Sequence, residues 1–343
     1  MSTTVQQRID ILVKLGEHLS TFDNPNMQTA IRQAHHANKW FTPENIEQSL
    51  TAIRDKFLNR TILQNWVKQY DVAGKHKKTV GLILAGNIPL VGFHDMLCVY
   101  LSGHKALLKY SSKDKSLIEY IVSAMIAIDR SVADDIVFVE RLADYEAVIA
   151  TGSNNSSRYF EQYFSHVPNI IRKNRNAVAV IHGDETAADF KNLGLDIFTY
   201  FGLGCRNVSK LYVPKGYKFD DMLQVLHDEF KELVLHHKYK NNFDYNHALF
   251  MLNKDEFLMS GSLLVRKSTA IPSRISSINY EEYEDIDTVA KDLASYIDLI
   301  QCIVSNKELE GLETFKLGEA QQPTITDYAD GVDTMQFLTD LSK

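Results

Sequence analysis

A thiol stands at Cys205 in the stretch Phe201-Gly202-Leu203-Gly204-Cys205-Arg206, just ahead of the strand-like run Val208–Pro214. A cysteine thiolate is a nucleophile for acyl transfer, and a loop beside a strand suits reaction better than a core position does. The flanking glycines let backbone approach a ligand closely. Against this stands the ordinary use of a free cysteine as a small core hydrophobe. Two upstream segments favour chemistry. Asn87 follows a strand-like run and precedes Ile88-Pro89. Its amide can donate to a developing oxyanion, or serve only as a turn residue. The backbone N–H of Cys205 is a second candidate donor; losing one such donor typically costs ~3 kcal/mol of transition-state stabilisation. Thr151-Gly152-Ser153 opens a helix. Helix N-termini bind phosphate through free N–H groups and the dipole, and Ser153 can equally be a simple cap. Amide, phosphate-type turn and loop thiol together fit acyl chemistry with a nucleotide.

These residues need a frame. Residues 1 to about 70 read as helices, from an amphipathic first segment onward, with breaks at 23–26 and 41–44. Thr42-Pro43-Glu44 reads as an N-cap with proline in the first turn. The pattern then alternates. Residues 79–85, 105–109, 136–140 and 145–150 read as strands, and 91–101, 115–128 and 156–164 as helices. Alternation of this kind predicts a parallel sheet with crossover helices, whose sites lie at the carboxyl ends of strands. Asn87, Lys109 and Ser153 all fall there. A looser α/β pattern follows from Asn169, with strands at 170–172 and 177–181 and helices at 185–200, 220–231 and 286–304. Residues 329–333 read as a turn.

The chain has 343 residues, 45% hydrophobic and 24% charged, with a formal net charge of −7. That length suits two domains, and the acidic balance argues against nucleic acid as a partner. Cys98, Cys205 and Cys302 are far apart. No disulfide framework or cysteine metal site is expected, and a reducing compartment is. Cys98 and Cys302 read as helix packing residues. The adjacent pairs His35-His36 and His236-His237 do not share a helix face, so no metal site is expected. The run His236–Lys240 reads as a solvated face or a nucleotide phosphate path. The longest uncharged run, 79–93, is too short to span a bilayer, and a cytoplasmic protein is expected.

Gly81–Lys113 resembles the aldehyde dehydrogenase superfamily, with its P-W-N-[FY]-P segment, helix and G-N-x-x-[VL]-x-K-P-[SA]-E run. Asn87 falls on the oxyanion asparagine of that family and Lys109 on its cofactor lysine. Ala150–Ser153 resembles the F-T-G-S pyrophosphate turn, and Gly202–Arg206 the G-Q-x-C nucleophile loop. The four motifs occur in order over residues 81–214. The fit is closest to the acyl-CoA reductases that supply fatty aldehyde to bacterial luciferase. The resemblance implies an α/β fold with a parallel-sheet cofactor domain and a second α/β catalytic domain. The expected division is 1–172, 173–311, and a C-terminal segment 312–343 that packs back on the first domain. It implies catalytic Cys205 and Asn87, cofactor contacts at Lys109, Ser112, Thr151, Gly152 and Ser153, and an acyl-CoA substrate. It leaves open a homodimer and an acyl-activating partner enzyme.

Two departures carry information. The E-L-G-G-K run that supplies a water-activating glutamate reads 171–176 here, with Arg172 near the glutamate position. An enzyme that passes its acyl group to or from a thiol needs no such base. The glutamate after the cofactor lysine aligns with Ser112, which leaves room and positive charge for a 2′-phosphate, so NADPH is expected over NADH. The expected reaction is NADPH-dependent reduction of an acyl-CoA to an aldehyde through a Cys205 acyl-enzyme. An acyl-phosphate reductase on the same fold and a non-catalytic nucleotide-binding module remain alternatives. Arg206 can lower the thiol pKa or anchor the loop, and His94 or water can supply the proton.

Overall fold

Thr4 opens the first helix with a capping box. Its hydroxyl accepts from the Gln7 N–H at 3.2 Å, and the Gln7 side chain accepts from the Thr4 N–H at 2.8 Å. The computed structural model describes residues 4–72 and 76–343, so the first three residues of the expected N-terminal helix lie outside the described residues. Four helices follow in order: α1 (Val5–His18), α2 (Pro25–Ala37), α3 (Pro43–Phe57) and α4 (Arg60–Val67). Thr42 caps α3 with Pro43 in the first turn, as its sequence predicts.

The chain divides into two units, Met1–Asn174 with Pro323–Lys343, and Arg175–Gln322. The first unit continues with β1 (Thr79–Ile83), α5 (Phe93–Leu101), β2 (Lys105–Lys109), α6 (Lys115–Ile128), α7 (Val132–Asp135), β3 (Ile136–Phe138), β4 (Ala147–Thr151), α8 (Asn154–Phe164) and β5 (Asn169–Arg172). The sheet order is β3-β2-β1-β4-β5, parallel throughout. Both faces are covered, so the strands read as continuous apolar runs. Val80, Leu82, Ala106, Leu108 and Ile149 pack on the helices α1–α6. Leu107, Val148 and Ala150 turn the other way, toward Leu142 and Phe164. The chain steps outward from β1 to β3, then returns to the far side of β1 for β4. That reversal puts the topological switch point between β1 and β4, and ligands bind outside the carboxyl ends of strands at such a point.

The second unit contains β6 (Asn176–Val180), α9 (Ala187–Phe198), β7 (Val208–Pro214), α10 (Asp220–Phe230), α11 (His237–Asn253), β8 (Phe257–Met259), β9 (Leu264–Lys267), β10 (Ser277–Tyr283), α12 (Ile286–Ser295) and β11 (Ile300–Val304). Its sheet runs β11-β6-β7-β10-β9-β8, with only β8 antiparallel. Val178, Val180, Tyr212, Leu293 and Ile303 form one of its cores.

The structure corrects one reading. Residues 286–304 are not one helix: α12 stops at Ser295, and Ile300–Val304 pairs with β6 as an edge strand. The β-branched residues of Ile-Gln-Cys-Ile-Val pack better on a pleated sheet than on a helix. Cys302 is therefore a buried strand residue.

The last helix, α13 (Thr334–Asp340), and the segment before it are held in the first unit by buried and half-buried polar links. The Trp66 indole N–H donates to the Tyr328 hydroxyl at 2.8 Å, and Tyr70 donates to Asp333 at 2.8 Å. His104 pairs with the Leu338 carbonyl at 2.8 Å. Among the described residues, no helix is long and apolar enough to cross a membrane.

Candidate active site

The first unit gathers six of the expected residues at the carboxyl edge of its sheet. Lys109 ends β2 beside Ile83 of β1, and the Leu84 N–H donates to the Lys109 carbonyl at 3.0 Å. Asn87 lies four residues past the end of β1, and Ser112 three past β2. Asn87, Lys109 and Ser112 are all exposed. Thr151 ends β4, next to β1, and Gly152 and Ser153 follow. Two open hollows of this unit, about 450 and 540 Å³, are lined by Arg141–Tyr145 with Tyr163 and His166, and by Arg32, His36, Lys115 and Glu119. Neither is lined by any of these six residues, so shape alone does not mark the edge.

Two glycines shape that edge by close approach. A Cβ at Gly86 would stand 2.6 Å from Ser111 Oγ and 2.7 Å from its Cβ. A Cβ at Gly152 would stand 2.8 Å from Phe160 Cε2 and 2.9 Å from Ser156 Cβ. Ser153 caps α8, accepting from the Ser156 N–H at 3.2 Å. The cap uses the third N–H of the helix and leaves the first turn's earlier N–H groups directed out of the helix end. Asn154 at the head of α8 accepts from the Asn174 N–H at 3.1 Å. A glycine-narrowed turn and a helix N-terminus at the switch point, with an exposed lysine on β2 just across β1, fit a dinucleotide.

Cys205 lies in the second unit, half-buried in the turn between α9 and β7. Asn207 organises that turn. Its Oδ1 accepts from the Gly204 N–H at 2.7 Å. Its Nδ2 donates to the carbonyls of Asp196, Ile197 and Thr199 at 3.1, 3.2 and 2.9 Å. The side chain thus joins the end of α9 to the residue before the thiol. Between them Tyr200, Phe201 and Gly202 all take positive φ, at 54°, 59° and 75°. Left-handed aromatic residues cost energy and persist where packing over-determines them. Phe201 is held by the His236 ring at 4.4 Å and by Tyr239. Tyr239 is itself buried and donates to the Ser262 carbonyl at 2.8 Å. The run His236–Lys240 is therefore not a uniform solvated face.

Arg206 anchors the loop. Its Nε donates to the Ala320 carbonyl, and its guanidinium lies 4.8 Å from the centre of the Phe315 ring. Asp196 grips the same segment, accepting from the N–H groups of Gly318 at 2.6 Å and Ala320 at 3.0 Å. Burial pushes its pKa up to about 7, against the pull of those N–H groups and Arg206.

The structure also shows what holds Arg172 and His94. Arg172 turns into its own unit, where it pairs with Asp95 at 2.7 Å and donates to Thr334 Oγ1 at 2.8 Å and to the Ala329 carbonyl. Arg172 is a structural clamp. His94 is paired with the Ile325 carbonyl at 2.9 Å among the rings of Phe57, Trp66 and Tyr328. Burial lowers its pKa. Its ring is thus held within the aromatic cluster of the first unit. Asn207 and Asp196 went unremarked in the sequence. An asparagine before a strand and two residues after a loop cysteine is the one local signal either offered.

Residues 13–238 match the family described as Acyl-CoA reductase (LuxC). The chain belongs to the LuxC acyl-CoA reductase family. The reductase is thus an aldehyde-forming oxidoreductase. No curated relative matches it in sequence. Its fold is that of aldehyde dehydrogenases. An oxidoreductase of Marinobacter aquaeolei is 12% identical with TM-score 0.66, over 94% of this chain and 80% of that one. Aldehyde dehydrogenase 21 of Physcomitrella patens, solved with succinate, is 12% identical with TM-score 0.62, over 99% and 89%. A methylmalonate-semialdehyde dehydrogenase structure from Sinorhizobium meliloti, solved with NAD, is 12% identical with TM-score 0.64, over 93% and 74%.

Proposed function

We propose that the reductase converts an acyl-CoA to an aldehyde and free CoA through a thioester on Cys205. Family membership over residues 13–238 carries this reading. Cys205 as thiolate adds to the thioester carbonyl. The Asn87 amide and the Cys205 N–H donate to the oxyanion, which collapses to the acyl-enzyme and expels CoA thiolate. NADPH, when bound, would supply a hydride to the acyl-enzyme carbonyl, leaving a tetrahedral alkoxide on the Cys205 sulfur. Collapse of that alkoxide releases aldehyde and returns the Cys205 thiolate, while water protonates the departed CoA thiolate.

The first-turn N–H groups of α8, with Thr151, Gly152 and Ser153, would hold the cofactor pyrophosphate. Lys109 and Ser112 would hold the adenosine end, where a small neutral residue beside a lysine admits a 2′-phosphate. With Arg172 committed to Asp95, that side chain offers no base to water, which favours transfer over hydrolysis.

The test follows NADPH absorbance with a panel of acyl-CoAs, on wild type and Cys205→Ala. Loss with one chain-length class, absent in the variant, is expected, with NADH a poorer donor. Turnover retained by Cys205→Ala would overturn the reading.

A further inference from the structure

Asp114 stands at the N-cap of α6, yet its carboxylate makes no hydrogen bond to that helix. An aspartate at this position ordinarily accepts from its own first turn. Here Oδ2 accepts instead from the Leu90 N–H, 24 residues earlier, at 2.8 Å, and Oδ1 is buried without a partner. Asp114 is 5% exposed. Leu90 takes φ 55°, a conformation a leucine needs outside help to hold. Ser49 Oγ of α3 donates to the neighbouring Pro89 carbonyl at 2.8 Å.

On the other side of Asn87, Gly86 packs so closely on Ser111 that a Cβ has no room. The loop carrying Asn87 and the loop carrying Lys109 and Ser112 are therefore joined twice, once on each side of Asn87. Burial raises the Asp114 pKa well above the carboxylate range, opposed by the Leu90 N–H. An asparagine at this position keeps a carbonyl acceptor for the Leu90 N–H.

We propose that Asp114 is a positioning residue for Asn87, tying the loop of the oxyanion donor to the loop of the cofactor's adenosine end. The proposal rests on the catalytic reading above, which assigns those two loops their roles. A misplaced donor loses catalysis without loss of the nucleophile.

The experiment compares wild type, Asp114→Ala and Asp114→Asn by three readouts. Amide hydrogen exchange over residues 86–91 reads the tie directly, with no turnover needed. Single-turnover release of CoA reads the oxyanion step. Alkylation of Cys205 by iodoacetamide reads the nucleophile. Asp114→Ala is expected to speed exchange over 86–91 by about tenfold, and to slow CoA release by about tenfold or more. Alkylation of Cys205 should stay within about twofold, since only the donor has moved. Asp114→Asn, which keeps an acceptor for Leu90, should restore both exchange and release. Unchanged exchange in Asp114→Ala, or equal loss of CoA release in both variants, would overturn the proposal. If Cys205→Ala releases CoA as fast as wild type, the catalytic reading fails instead, and exchange over 86–91 still decides the tie.

Discussion

Replacing Asn207 tests whether one buried amide sets the shape of the thiol loop. The side chain is 3% exposed. It makes one accepted bond, from Gly204 at 2.7 Å, and donates two hydrogens to three carbonyls at 2.9 to 3.2 Å. Asn207→Ala leaves the buried Gly204 N–H and at least two carbonyls at the end of α9 without that partner. An unsatisfied buried group costs ~1–3 kcal/mol, so the second unit should lose about 3–5 kcal/mol. Asn207→Asp keeps an acceptor for Gly204 but turns a carboxylate oxygen toward three carbonyl oxygens. It should lose at least as much at neutral pH. Both tryptophans, Trp40 and Trp66, lie in the first unit, so their fluorescence reports the wrong half. The assay is amide exchange over residues 196–207, with tryptophan fluorescence as the control that the first unit is intact. Cys205 alkylation rates should change in both variants, because the turn that aims the thiol has lost its tie. Exchange in Asn207→Ala within ~1 kcal/mol of wild type would refute the argument. So would an Asn207→Asp protein that matches wild type.

Two further outcomes follow from buried charges. Arg172→Met strands Asp95, which is 8% exposed, and should cost the first unit about 3–5 kcal/mol. Arg172→Met with Asp95→Leu should recover most of that loss in urea denaturation followed by Trp66 fluorescence; a double variant no better than the single would contradict the pairing. Burial pushes the Asp196 pKa up to about 7 in the folded chain, against about 3.9 for an ordinary aspartate in the unfolded chain. Between those values the folded chain holds a proton that the unfolded chain has released, so stability falls as pH rises through the window. The slope approaches about 1.4 kcal/mol per pH unit, and it flattens above about pH 7. Exchange-measured stability of the second unit should therefore drop from about pH 5 to about pH 8 in wild type more than in Asp196→Asn. Equal slopes in the two proteins would count against a buried, proton-holding Asp196.

What was legible in the chain was local. The runs around β1, β2 and β4 announce strand, turn and helix within about fifteen residues. The carboxyl-edge grouping of Asn87, Lys109 and Ser153 then follows from parallel topology alone. The failures share the opposite property. Ile300–Val304 became a strand because β6 lay beside it, and nothing within the run records that neighbour. Arg172, read near a glutamate position, likewise gave no sign of its hydrogen-bond partners at 329 and 334, more than 150 residues away in sequence. The thiol loop shows the limit most sharply. Two glycines marked it as conformationally free, yet only Gly202 takes positive φ. Gly204 serves through its N–H to Asn207, and Tyr200 and Phe201, two aromatic residues, carry the left-handed turn. A sequence shows where backbone freedom is available. Where strain is held depends on the packing that over-determines it, here His236 and Tyr239 against Phe201. The side chains that shape the thiol loop therefore become visible only once their distant partners are in place.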